Sequence, residues 1–137
     1  ARARFAAFKA SMHRKLTDVL TQHGSSGSPI LESIQAVGLR SFGSPESANA
    51  RAHRLLLVSD LVQNTSRVTF IGGLPAYEDF RTSKTFEAIR APLRGATVDV
   101  LFLSRANGVS SSELVGWWQK YFGDVGASLA SVQRIVG

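Results

Sequence analysis

The residues in this 137-residue chain whose types could do chemistry are few, and their spacing limits what that chemistry is. Asp60 closes the run Leu55-Leu56-Leu57-Val58-Ser59-Asp60. A carboxylate in that position either caps the next turn or offers oxygen to a hard cation. Ser28 stands before Pro29, where its hydroxyl can cap free helix amides or serve as a further oxygen ligand. Asn64-Thr65-Ser66 adds three oxygen-bearing side chains, a pattern shared by turns and ligand loops, and Asn64 is a candidate for partner binding. Of the pair Trp117-Trp118, one ring is expected in a helix–sheet interface and the other, Trp117 being the candidate, toward the rim as an anchor for a partner. The absence of cysteine excludes disulfides, Cys-type zinc sites and thiol nucleophiles. His13, His23 and His53 have no metal spacing and read as surface or loop residues. Gly24-x-x-Gly27-Ser28 lacks the Lys-Ser/Thr and the preceding strand of a phosphate loop, and reads as a linker. Glu78-Asp79 reads as part of a solvated loop. With no Gly-x-Ser-x-Gly elbow and no triad ordering, the residues give no basis for an enzyme.

The elements that position these residues follow from apolar spacing. Phe5, Phe8, Met12, Leu16, Val19 and Leu20 share one face of a helix over 3–22. Gly24 to Gly27 breaks it, and Ser28-Pro29 restarts a helix with Pro at its first position. Ile30, Leu31, Ile34, Val37 and Leu39 continue the second helix, and a polar stretch from Ser41 to Asn49, with room for a short helix, leads onward. Leu55–Val58 is too short for a helix and apolar throughout, as in a strand buried on both faces at the centre of a parallel sheet. A second such run is Thr97–Leu103. Ser131–Val136 alternates and reads as an edge strand. Helices over 82–91 and 111–122 fill the gaps, and Val68–Ile71 is a candidate short extra strand. Strand–helix–strand–helix–strand gives an α/β fold with an open, doubly wound, mainly parallel sheet and helices on both faces.

Hydrophobic content of 44% and charged content of 19% suit one globular domain. No apolar run approaches the roughly 18 residues of a membrane span. The net charge of +6 comes from scattered arginines without a basic run or an aromatic–basic–Gly string, so it reads as a solvated surface and not as a nucleic-acid site.

Three segments together resemble bacterial domains of the von Willebrand factor type A class: Ser28-Pro29-Ile30-Leu31-Glu32-Ser33-Ile34; Leu55 to Asp60 with Leu61-Val62-Gln63-Asn64; and Leu93-x-Gly95-Ala96-x-Val98-x-Val100-Leu101 with Trp117-Trp118-Gln119-Lys120-Tyr121-Phe122. The resemblance covers residues 28–136 in order and spacing. It implies a Rossmann-like parallel sheet with a metal-ion-dependent adhesion site at the carboxyl ends of its strands. It further implies Asp60 and Ser28 as ligands of Mg2+ and a protein partner whose acidic side chain completes the coordination. That class also carries Asp-x-Ser-x-Ser after its first strand, a motif absent from residues 1–137. The implied roles of Ser28 and Asp60 therefore depend on such a motif upstream. The expectation is one domain over 1–137, the C-terminal part of a longer domain of that class. The alternatives are a metal-free scaffold that self-associates and, behind it, a nucleic-acid-associated basic protein.

Overall fold

A computed structural model describes residues 2–19, 27–42, 53–104 and 109–136, with backbone alone for 12–19 and 136. Eight elements follow in order: α1 (Arg2–Val19), α2 (Ile30–Ser41), β1 (Arg54–Ser59), α3 (Tyr77–Arg81), α4 (Lys84–Ile89), β2 (Thr97–Ser104), α5 (Ser111–Asp124) and β3 (Ser128–Val136). The expectations for Gly24 to Ser26, His23 and the stretch 43–49 lie outside the described residues, as does the side chain of His13, whose backbone belongs to α1. Among the described residues no helix is long and apolar enough to cross a membrane.

The three strands form one parallel sheet in the order β1-β2-β3. Among the described strands the aliphatic run at Leu55–Val58 is thus not the centre of the sheet. β2 is, and six of its eight residues are buried, whereas five of the six in β1 are half-buried. The cause is neighbours. β2 has a strand on each side, and β1 has one among the described residues. β3 is an edge strand, as its alternation implies, but it begins at Ser128. A register shift between Val98 and Asp99 inserts an extra residue opposite the central strand and hides the period of two in the sequence.

Both crossovers step in the same direction, and crossovers of one hand then place their helices on the same face. The buried side chains of α3, α4 and α5 indeed join those of α2 in one cluster with Val98, Val100 and Phe102. The opposite face holds a smaller cluster, Leu101, Leu103 and Ile135, with Leu56 and Val58 against it. On that face α1 reaches Asp99 through Lys9, and its Phe5 ring lies 4.3 Å from the Arg54 guanidinium. The described strands never reverse direction, so the expected doubly wound pattern and its switch point are not present among them.

The helix expected over 82–91 is the shorter α4, and α3 stands before it where no helix is expected. Thr82 donates to the Glu78 carbonyl and ends α3, and the Ser83 hydroxyl accepts from the Phe86 amide at 3.1 Å and starts α4. Val68–Ile71 is not a strand. It contributes only the isolated bridge between Thr69 and Asn64.

Candidate functional site

Parallel strands deliver their carboxyl ends, and the loops that follow, to one edge of the sheet, where ligands of open α/β sheets usually lie. Here that edge carries the start of α2 and the loop leaving β1. Between them lies a cavity of about 340 Å³ lined by Gly27, Ser28, Pro29, Ile30, Ser33, Leu57, Val58 and Ser59. Its lining mixes apolar residues with three serines; the Ser33 hydroxyl donates to the Pro29 carbonyl at 2.6 Å and the Ser59 hydroxyl accepts from the Leu61 amide.

The loop after β1 is held in an unusual shape. Leu61 has φ of 62°, a left-handed conformation that costs a non-glycine residue on the order of 1 kcal/mol or more. Three contacts oppose that cost. The Ser59 hydroxyl accepts from the Leu61 amide at 2.9 Å, the Trp118 indole donates to the Leu61 carbonyl at 2.8 Å, and the Leu61 side chain is fully buried. Asp60 accepts from the Val62 amide at 3.0 Å, which tightens the same turn.

Gln63, also fully buried, braces this loop against α2. Its Oε1 accepts from the Leu31 amide at 2.9 Å, and its Nε2 donates to Glu32 Oε2 at 2.8 Å. Thr65 adds a donor to Glu32 Oε1 at 3.3 Å. A negative charge in the first turn also suits the helix dipole. Gln63 thus caps α2 from another segment, a role that sequence reading assigned to Ser28. Ser28 makes no such cap, and Pro29 stands just before the helix, not at its first position. Ser28 instead pairs through its backbone with Asn64, its amide donating to the Asn64 carbonyl and its carbonyl accepting from the Asn64 amide, both at 3.0 Å. No sequence signal singles out Gln63, because a glutamine that caps a helix 32 residues away leaves no local pattern.

The structure therefore brings Ser28 and Asn64 together, but it turns their side chains to different tasks. Ser28 lines the cavity, while the Asn64 carboxamide accepts from the Thr69 hydroxyl at 3.0 Å. Asp60 does not line the cavity; its carboxylate is turned to the Val62 amide. Trp117 is buried along with Trp118, so neither ring sits at the rim as expected. Trp117 donates to the Pro75 carbonyl at 3.2 Å inside a cluster with Phe70, Tyr77 and Phe80. Glu78 and Asp79 lie in α3, exposed, and not in a loop. His53 is half-buried, its ring 4.6 Å from that of Phe42.

As a test of fit for Mg2+, the donor set falls short. Such an ion wants near-octahedral oxygen ligands, carboxylates among them. This edge offers two carboxylates, Asp60 held by the Val62 amide and Glu32 held by Gln63 and Thr65, and no group of three or more acidic or histidine side chains able to hold a metal occurs among the described residues. No family model matches the chain, and neither the curated proteins nor the solved structures include a match to it.

Proposed function

We propose that the chain is a non-enzymatic protein-binding module whose partner docks at the carboxyl edge of the parallel sheet, in the cavity between the start of α2 and the end of β1. The observation that carries this reading is the cavity itself. Ile30 and Leu57, together with Ser28, Ser33 and Ser59, line a recess over a loop braced by Gln63 and Trp118. A pre-ordered recess that mixes apolar residues with serines suits an uncharged side chain flanked by backbone amides, and its rigidity lowers the ordering cost of binding. The order β1-β2-β3 with same-direction crossovers also supports reading the chain as one half of a doubly wound sheet of the von Willebrand factor type A kind. In that reading Mg2+ would need carboxylates beyond those described here, and the metal-free form of the module is favoured.

Selection of peptides from a random displayed library, followed by nuclear magnetic resonance mapping, tests the proposal. Selected peptides are expected to shift the amide signals of Ser28, Ser33 and Ser59 without added Mg2+, and Ser59→Tyr, which fills the recess, is expected to abolish binding. Shifts confined to other surfaces, or binding that Mg2+ switches on, would overturn it.

A second reading, a scaffold that self-associates through the outer edge of β1, is favoured by the single strand neighbour of β1 among the described residues. It requires a dimer by light scattering; a strict monomer at high concentration removes it.

A further inference from the structure

We propose that the opposite, amino-terminal edge of the sheet carries a second site, which binds the phosphate group of a small organic phosphate. A cavity of about 530 Å³ opens there between the turn that enters β2, the turn that enters β3 and the end of α2. Arg90 and Arg94 line it, and neither guanidinium has an acidic partner among the described residues. Three other arginines are engaged, while Arg40 and Arg67, outside the cavity lining, also lack an acidic partner among the described residues. Arg54 pairs with Asp99 at 2.9 Å, Arg81 with Asp124 at 3.3 Å, and Arg134 donates to Ser104 at 2.6 Å. The one acid in the lining, Asp124, already accepts from Tyr77 and pairs with Arg81, so the uncompensated charge facing the cavity is positive. Leu39, Ala91 and Pro92 supply an apolar wall.

Guanidinium groups match phosphate oxygens in paired hydrogen bonds, and an apolar wall beside them suits the organic part of such a ligand. The backbone of Arg94 is closely approached by the turn before β3, although its side chain is exposed. Gly126 has φ of 80°, and a Cβ there would lie 3.2 Å from the Arg94 Cα, so the turn before β3 is held against the arginine backbone. The carboxyl end of α5 faces this edge and disfavours an anion, but its carbonyls are occupied: Val125, Gly126 and Ala127 amides donate to Tyr121, Gly123 and Phe122. A structural role, cations complementing helix carboxyl ends, is the competing explanation of these two arginines.

Calorimetric titration of the full chain with a nucleoside monophosphate and with pyrophosphate separates the two. The expected result is one saturable site, weakened by about tenfold in Arg90→Gln and in Arg94→Gln and unchanged in Arg67→Gln, an exposed arginine at the other edge of the sheet. Circular dichroism verifies that each variant is folded, and Arg94→Lys, which keeps the stem and the charge, is expected to retain part of the binding. Absence of a saturable site, equal weakening by all three glutamine variants, or variants that lower the melting temperature with no ligand bound in the parent would overturn the proposal. So would affinity for an oligonucleotide without affinity for either small phosphate.

Discussion

Asp99 lies on the central strand with its side chain only 4% exposed, on a face that is otherwise apolar. Burial alone raises a carboxyl pKa, but here the Ser131 hydroxyl, the Arg54 guanidinium and the Lys9 ammonium outweigh it and hold the group below its usual value. The sign of the pH dependence follows. A depressed native pKa contributes stability that is complete above about pH 5 and is lost as the pH falls through the native value. Acid unfolding is expected to have a flatter limb in Asp99→Asn than in the parent, measured by denaturant titration at several pH values. Arg54→Met, which leaves a buried carboxylate short of its main partner, is expected to cost about 2–3 kcal/mol, below the full cost of breaking a buried pair because Arg54 is 42% exposed. Gln63 gives a sharper contrast. Gln63→Leu removes the partner of the Leu31 amide and one of Glu32, at about 1–3 kcal/mol. Ser28→Ala, at the position expected to cap, is predicted to cost less than about 0.5 kcal/mol. The reverse ranking would contradict the assignment of the cap.

At the scale of elements, α3 and α5 are joined by aromatic packing that seals both tyrosines of the chain, Tyr77 and Tyr121. Burial pushes Tyr121 up to about 12, with the Glu32 charge adding to the rise and the Ala91 amide, which donates to its hydroxyl, opposing it. Burial, together with the carboxylate of Asp124 that accepts its hydroxyl, raises Tyr77 further. Both groups favour the folded state fully below about pH 10 and less as the pH climbs toward the native values. Ultraviolet titration is therefore expected to show no tyrosinate until the chain unfolds. Half-ionisation near pH 10 with native circular dichroism would contradict that packing. The strands were legible in the sequence because aliphatic runs have a strong signature: 54–59 and 97–104 stand nearly where their composition puts them. Which run is central was not legible. Leu55–Val58 is unbroken whereas Val98–Leu103 is interrupted by Asp99, so apolarity alone points to the wrong run and only the order of pairing identifies the central strand. The break at Thr82-Ser83 depends on hydroxyls that choose backbone partners, and a helix-period count is blind to that choice.

For the whole molecule, the direction of the parallel strands separates two edges of different chemistry. The carboxyl edge has a recess lined by aliphatic residues and serines, and the amino edge has two arginines without an acidic partner among the described residues. Of the candidate site, sequence reading found Ser28 and the loop after β1 but not the side chains that organise them, because Gln63 and Trp118 act across 32 and 57 residues. The net charge of +6 is consistent with arginines spread over the surface as well as with the amino-edge cavity, so composition alone did not locate it. The absence of cysteine makes a direct test of the carboxyl edge clean. Ser33→Cys places one thiol at the recess, and Lys120→Cys places one at an exposed position of α5 outside its lining. Each variant is coupled to a bulky maleimide and titrated with a peptide selected against the parent chain. The account predicts that the label at residue 33 blocks binding and the label at residue 120 does not; equal binding by both labelled proteins would contradict it.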